Sequence, residues 1–256
     1  MPSGVSAAAV RLGQLDHLRE ALGSAHGDEM AVNLADVVML LARGHALLEV
    51  APHLAGATLH ALPKGADDVR PIAVGETLRR LTAKCLCNDV RVPARDFLCP
   101  LQVGVATRHG TEAVVHTARQ WVQRHAGIPD QVLLKIDFSN AFNTVDRAAL
   151  LRETRLRLPG LSPWAEWCYG HHSRLLFHGD PLSSEAGVQQ GDPLGPLLFS
   201  LALHPALQAA RCGGPQIFSP HSWLATWMMS ALRATTGKSA PGLSDSLQRL
   251  ARLGCR

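Results

Sequence analysis

One aspartate of this 256-residue chain stands where it could do metal chemistry, because Asp137 directly follows a short apolar run. Residues 131–136 have the apolar centre that is typical of a buried β-strand, and a carboxylate at the end of such a strand is rigidly held. Hard cations such as Mg²⁺ and Mn²⁺ prefer oxygen ligands, which the Asp137 carboxylate and the backbone carbonyl of Phe138 can supply. An aspartate that only satisfies nearby backbone groups is the alternative interpretation.

A second run, Gly187-Val-Gln-Gln-Gly-Asp-Pro-Leu-Gly-Pro196, has the composition of a loop that leads into a helix. Gln190 carries an amide that both donates and accepts hydrogen bonds, and Gly191 leaves the neighbouring backbone uncovered. Such a pair beside a cleft can touch a nucleotide or a template base. An ordinary loop and helix start is the alternative.

The periodicity of the remaining sequence predicts the elements that position these two runs. Apolar residues three and four apart predict helices over residues 30–43, 77–90, 111–124, 146–158 and 193–210. Thr111 and Asp146 are the expected N-caps of two of them, and Arg79 is expected on an outward helix face. Alternating strands and turn residues predict hairpins over residues 59–74 and 174–186, and a basic residue flanks each side of the first hairpin's tip.

Four runs in order resemble a known family. The run Asp137-Phe-Ser-Asn-Ala-Phe-Asn143 is similar to the first palm motif of reverse transcriptases, particularly those of non-LTR retrotransposons, and the run from Gly187 to Phe199 is similar to the second. Upstream, residues 62–72 resemble the fingers hairpin of the family, and residues 102–111 resemble the fingers segment that precedes the palm. The resemblance implies an α+β fold, namely the fingers and a partial palm of a right-hand polymerase with an antiparallel palm sheet packed on helices.

The resemblance also implies roles in the first palm motif. Asp137 and the carbonyl of Phe138 would hold Mg²⁺ (or Mn²⁺), the cofactor expected for the family. Phe138 and Phe142 would lie at the nucleotide, and Phe142 takes the place of the bulky residue that excludes a 2′ hydroxyl. Core packing is the ordinary alternative for Phe142, and the two roles are compatible.

Further roles are implied outside that motif. Gln190 and Gly191 would contact the incoming nucleotide and the template, and Lys64 and Arg70 would meet its triphosphate, with solvated loop charges as the alternative. The implied activity is RNA-templated DNA synthesis by two-metal nucleotidyl transfer. Its partners would be an RNA template, a DNA primer and deoxynucleoside triphosphates.

The sequence departs from the family pattern after the second motif. The family's third motif is an aromatic residue followed by two adjacent aspartates, yet Asp245 is the only acidic residue after Asp192. The sequence therefore predicts that the chain extends a primer poorly or not at all. A non-catalytic nucleic-acid-binding or partner-binding remnant of a retroelement is the alternative. A frame change or misassigned splice near residue 210 would account for the same departure.

The resemblance, together with the change of composition and charge near residue 210, divides the chain into four parts. We expect an N-terminal helical segment over residues 1–60, a fingers-like part over 61–130, a partial palm over 131–210 and a divergent basic tail over 211–256. The tail carries six Lys and Arg against one acidic residue, whereas the preceding residues carry 19 against 20. Contact with nucleic acid is therefore expected from a local basic groove rather than from bulk charge.

Other function classes find little support in the sequence. Neither the six cysteines nor the 13 histidines show metal-ligand spacing, and residues 237–239 lack the upstream glycine of a P-loop. The N-terminus does not resemble a secretion signal, and prolines break the long apolar stretches, so no membrane contact is predicted. We expect an intracellular protein, cytoplasmic or nuclear. No pattern indicates an oligomeric state.

Overall fold

The computed structural model describes residues 16–64, 69–128, 133 and 136–213, with side chains up to residue 209. Within these residues the helices are α1 (Gly27–Ala42), α2 (Ala51–Leu54), α3 (Thr77–Asp89), α4 (Arg91–Leu98), α5 (Gly110–His125), α6 (Ala141–Thr144), α7 (Arg147–Arg157), α8 (Ser162–Tyr169) and α9 (Gly195–Gly213). The strands are β1 (Ala57–Pro63), β2 (Val69–Gly75), β3 (Ser173–Phe177) and β4 (Asp180–Ser184). Residues 16–22 are also helical.

The four strands form one sheet in the order β2-β1-β3-β4. Both outer pairs are antiparallel hairpins, but β1 and β3 run parallel, with Ala57 opposite Leu175 and Thr58 opposite Leu176. The described four-stranded sheet is therefore mixed, whereas the antiparallel palm sheet expected around residues 131–136 lies partly outside the described residues. The physical reason for the parallel pair is the connection between β1 and β3, which is long enough to cross the sheet and return in the same direction.

The hydrophobic core lies around the first half of α9. This helix packs against α7 and α4, and α7 in turn packs against α8. Phe199 and Leu201 of α9 are almost fully buried, as are Leu150 of α7 and Trp164 of α8. Trp164 also stacks on Trp167, with ring centroids 5.3 Å apart. The core thus supports the loop that leads into α9.

The five predicted helices and both predicted hairpins are confirmed within a few residues of their expected ends. Asp146 caps α7 as expected, because its carboxylate accepts a hydrogen bond of 2.9 Å from the Ala148 N–H. The expected cap at Thr111 is wrong, since α5 already begins at Gly110 and His109 is its N-cap. No helix in the described part of the chain is long and apolar enough to cross a bilayer.

Two expectations concern residues that the structure covers only in part. The predicted strand over residues 131–136 falls mostly outside the described residues, and Leu133 and Ile136, which are described, are exposed and in no strand. The tail beyond residue 213 also lies outside them.

A buried polar contact joins the segment after α4 to the middle of α9. The Gln102 side-chain amide donates to the Ser200 carbonyl over 2.9 Å and lies 3.1 Å from Nδ1 of His204. An amide N–H needs an acceptor, so this contact requires a neutral His204 ring with its proton on Nε2. Burial, together with the positive charge of Arg157, lowers the pKa of His204 below its ordinary value.

Folding should therefore depend on pH through His204. A lowered folded-state pKa means that the unfolded chain binds the proton more readily, so this contribution to stability is complete above about pH 6.5 and is lost as the pH falls toward the lowered pKa. We expect the free energy of unfolding in urea to decline between about pH 6.5 and 5, and His204→Gln to make that decline shallower. An NMR titration of the His204 ring with a midpoint at or above the ordinary histidine pKa would contradict this explanation of the pH dependence.

Candidate functional site

The loop between β4 and α9, residues 185–194, contacts two segments that lie far from it and from each other in the sequence. Its Val188 N–H donates to the Phe142 carbonyl over 2.7 Å, and its Gly187 N–H donates to the Val145 carbonyl over 3.0 Å. On the other side, the Ala73 N–H of β2 donates to the Gln190 carbonyl over 2.7 Å. We call this segment the β4–α9 loop. Backbone hydrogen bonds thus hold it between α6 and the first hairpin.

Two glycines allow this close approach. Gly187 has a φ of +68°, and a Cβ at this position would lie 2.4 Å from the Phe142 carbonyl oxygen. Gly191 has a φ of +129°, and its Cβ would lie 2.4 Å from the Ala73 carbonyl oxygen. Residues with side chains rarely adopt such backbone angles, and their Cβ atoms would collide with the Phe142 and Ala73 carbonyl oxygens. Because a side chain at Gly191 would point toward β2, the glycine lets the loop backbone lie against Ala73, while the residue itself stays exposed.

Three phenylalanines connect the first palm-like motif to α9. The Phe142 and Phe199 rings lie 5.7 Å apart at a tilt of 47°, and the Phe138 and Phe199 rings meet edge to face at 6.2 Å. Phe142 is buried, whereas Phe138 is half-buried. The predicted nucleotide-binding residue Phe142 therefore also has the core-packing role that its sequence context suggested.

Asp137 is exposed and lies next to the anchored Phe138. Among the residues that the structure describes, no group of three or more His, Cys, Asp and Glu side chains could hold a metal ion. One carboxylate and one carbonyl supply fewer oxygens than the six or so that a hard divalent cation takes, although water can complete the shell. The described residues therefore do not amount to a complete metal centre.

The two predicted phosphate-binding cations lie at one end of the first hairpin. Pro63 of β1 is opposite Val69 of β2, so Lys64 and Arg70 follow closely on the two strands. Lys64 is exposed and Arg70 is half-buried. Arg70 precedes Ala73 by three residues, which is about 10 Å along a strand. The same strand thus carries Arg70 and contacts Gln190.

A buried polar cluster that the sequence reasoning missed holds the C-terminal half of the loop. Arg79, expected on an outward helix face, is only 2% exposed and forms a 2.8 Å ion pair with Asp192. The same guanidinium donates to the Tyr169 hydroxyl over 3.1 Å, to the Gln189 side-chain carbonyl and to the Ala55 carbonyl. Tyr169 in turn donates to the Asp192 carboxylate over 2.5 Å. We call Arg79, Tyr169, Gln189 and Asp192 the buried cluster.

Charge and burial in the cluster act together on its ionisable groups. Burial alone would lower the pKa of Arg79, but the combined effect of its neighbours, above all Asp192 and then Tyr169 and Cys168, outweighs burial, so the pKa is raised. Burial raises the pKa of Tyr169 well above its ordinary value, and the negative charge of Asp192 adds to the effect. Tyr169 thus stays neutral and keeps the proton that it donates to Asp192.

A second buried arginine, Arg147 at the start of α7, holds the other end of the loop. Its Nε donates to the Gly187 carbonyl over 2.9 Å, and its two terminal nitrogens donate to the carbonyl and hydroxyl oxygens of Ser184, each over 2.8 Å. The Arg147 guanidinium lies 5.4 Å from the Tyr169 ring centroid, and that of Arg79 lies 5.5 Å from it. The aromatic ring thus interacts with two cations.

One signal in the sequence could have located the cluster. Arg79, Thr82, Ala83 and Leu86 follow the spacing of a single helix face, and all four are buried. The apolar members of this stripe therefore indicated the side of α3 on which Arg79 lies. An arginine on a buried stripe requires an acidic partner.

Comparison with known proteins adds one match. The sequence model of a protein family described as reverse transcriptase (RNA-dependent DNA polymerase) matches residues 62–213 of the chain. The matched range contains the β4–α9 loop, α6 and the buried cluster. No curated protein matches the chain.

The ion pair of the buried cluster should be strongly coupled. We expect Arg79→Met and Asp192→Asn each to lower the free energy of unfolding by about 3 to 5 kcal/mol, because each leaves a buried partner without its counter-charge. The double variant should lose clearly less than the sum of the two single losses. Urea unfolding of all four proteins measures this coupling.

A matched control is the exposed pair Arg95 and Asp96, whose nitrogen and oxygen atoms also lie 2.8 Å apart. The same cycle at that pair should change stability by less than about 1 kcal/mol. Additive losses at Arg79 and Asp192 would show that the two side chains do not act as a pair.

Proposed function

The chain belongs to the reverse transcriptase (RNA-dependent DNA polymerase) family, and we propose that the β4–α9 loop, α6 and β2 form the wall of its site that faces the nucleotide and the template. The observation that carries this proposal is the position of the Gln190 backbone, whose carbonyl accepts the Ala73 N–H of β2. Through this bond and the one between Val188 and Phe142, three separate segments meet at one place.

Each segment would supply a different kind of contact. Gln190 would hydrogen-bond to the incoming nucleotide or template base, and Gly191 would let a planar base approach the backbone closely. Phe142, fixed against Phe199, would exclude a 2′ hydroxyl on the incoming nucleotide. Lys64 and Arg70 would meet the triphosphate.

In this proposal the first hairpin belongs to the fingers, and α6, the β4–α9 loop and α9 belong to the palm of a right-hand polymerase of the non-LTR type. Residues 61–130 and 131–210 would be the corresponding parts of the chain, preceded by the helical residues 1–60 and followed by the basic tail. An RNA template with a DNA primer and deoxynucleoside triphosphates would be the ligands.

We further propose that this chain binds these ligands but does not support efficient DNA synthesis. Asp137, with the carbonyl of Phe138, would be its contribution to divalent-metal binding, which in the family assists attack of the 3′ hydroxyl on the nucleotide. The described residues do not complete such a site, and no adjacent aspartates follow the second motif in the sequence. A binding module of retroelement origin is the function that agrees with both facts.

Primer extension tests the catalytic part of the proposal. With an RNA template, a DNA primer, all four deoxynucleoside triphosphates and either Mg²⁺ or Mn²⁺, we expect little or no extension by the chain. Asp137→Ala should leave this low level unchanged. Robust metal-dependent extension that disappears in Asp137→Ala would refute the proposal that the chain lacks efficient DNA synthesis, and it would establish an active polymerase.

Binding tests the proposed wall independently of catalysis. We expect Gln190→Ala to weaken binding of a template–primer with a matched nucleotide about tenfold, because it removes a substrate hydrogen bond and keeps the backbone bond to Ala73. Fluorescence anisotropy of a labelled primer measures the affinity. The control is Gln123→Ala, which alters an exposed glutamine on α5.

Equal affinities for the parent protein, Gln190→Ala and Gln123→Ala would contradict the proposed contact. Undetectable binding by the folded parent protein would instead favour a partner-binding module without nucleic-acid contact.

A further inference from the structure

The segment around α1 exposes an unusual amount of apolar surface. Half of the large apolar side chains that are exposed in the described residues lie between residues 22 and 50. They are Leu22, Met30, Val32, Val37, Met39, Leu40, Leu47, Leu48 and Val50. Single exposed apolar residues are ordinary, whereas a concentration of them indicates an interaction surface.

α1 uses only a narrow stripe to join the rest of the protein. It packs against α3 and α8. Leu41 is buried, and Leu34 and Val38 on the same side are half-buried. At 100° per residue these three side chains span about 60° of the helix circumference, and the half-buried Ala42 widens the packed stripe to about 100°, so most of the helix faces outward.

One outward face of α1 has an ordered chemical pattern. It presents Asp28, Val32, Ala35 and Met39 and continues to the C-cap residue Arg43, and all five are exposed. Their spacing confines them to a stripe about 80° wide. Read from the N-terminus, the stripe runs from an acid through an apolar, a small and another apolar residue to a base.

The stripe is complementary to a second copy of itself that runs in the opposite direction. In an antiparallel pair of α1 helices, Asp28 lies opposite Arg43 of the second copy, and Val32 lies opposite Met39 of the second copy. Ala35 then lies at the crossing point, where a small side chain lets two helices approach to about 8 Å. A salt bridge would therefore form at each end of the two paired helices. Within the described part of the chain, neither Asp28 nor Arg43 takes part in an ion pair.

We propose that this outward face of α1 pairs antiparallel with the same face of a second copy of the chain. The contact is a two-fold, self-complementary interface, which is the commonest form of protein dimer. A parallel arrangement is disfavoured because it would place Asp28 beside Asp28 and Arg43 beside Arg43. The neighbouring exposed residues Leu47 and Leu48 extend the apolar area beyond the helix.

Charge reversal provides a specific test. We expect Asp28→Arg and Arg43→Asp each to weaken dimerisation about tenfold, because two attractive pairs become two repulsive pairs at the interface. An equimolar mixture of the two variants should dimerise like the parent protein, since each end of the mixed dimer again pairs an acid with a base. The double variant should dimerise alone for the same reason. Sedimentation velocity over a concentration series measures all of these states.

Matched controls are the reversals Glu112→Arg and Arg119→Asp on α5, which alter exposed charges outside α1. They should leave dimerisation unchanged, both alone and mixed. A parent protein that stays monomeric up to about 100 µM would overturn the proposal, because such an interface would then be too weak to form. Dimerisation that is insensitive to the two α1 reversals, or that the mixture fails to restore, would overturn it as well and would favour a different partner on this face.

Discussion

The ion pair between Arg79 and Asp192 is the interaction on which the arrangement of the candidate site depends. Removing a guanidinium and a carboxylate from water costs several kcal/mol for each ion, and mutual attraction offsets this cost only when the remaining hydrogen-bonding groups are also satisfied. Here Arg79 donates to four acceptors, and Asp192 accepts from Arg79, Tyr169 and the Leu194 N–H. The geometry must therefore be kept, because a small displacement would leave a buried charge unpaired. The β4–α9 loop takes its position from this requirement.

The two buried arginines divide the support of the loop between them. Arg147 binds backbone oxygens at the end of β4 and the start of the loop, where local turn preferences alone would allow several conformations. Arg79 binds side chains in the second half, next to the start of α9. Their positive charges repel each other, and burial together with this repulsion contributes to the lowered pKa of Arg147. The Tyr169 ring lies near both guanidinium groups, so it offers each of them an attractive face.

Features that depend on neighbouring residues could be predicted from the sequence, whereas features that depend on distant partners could not. The Asp146 cap and both hairpins follow from residues within a few positions of each other, and the structure confirms them. The burial of Arg79 depends on Tyr169 and Asp192, which lie 90 and 113 residues away along the chain. The parallel pairing of β1 and β3 is likewise a long-range contact. The periodicity of a helix gives the side of each residue but does not identify the partner that a buried charge requires.

The run Gln189-Gln190-Gly191-Asp192 combines buried and more accessible residues within four positions. Gln189 and Asp192 are buried and bind Arg79, whereas Gln190 is half-buried and Gly191 is exposed. A shift of one residue would place Gln190 in the buried cluster and would turn Gln189 outward. The pairing of the Gln190 carbonyl with the Ala73 N–H and the positive φ of Gly191 both oppose such a shift. The buried residues therefore determine which of the two glutamines lies nearer the surface, and a substitution at Gln189 would change the position of Gln190.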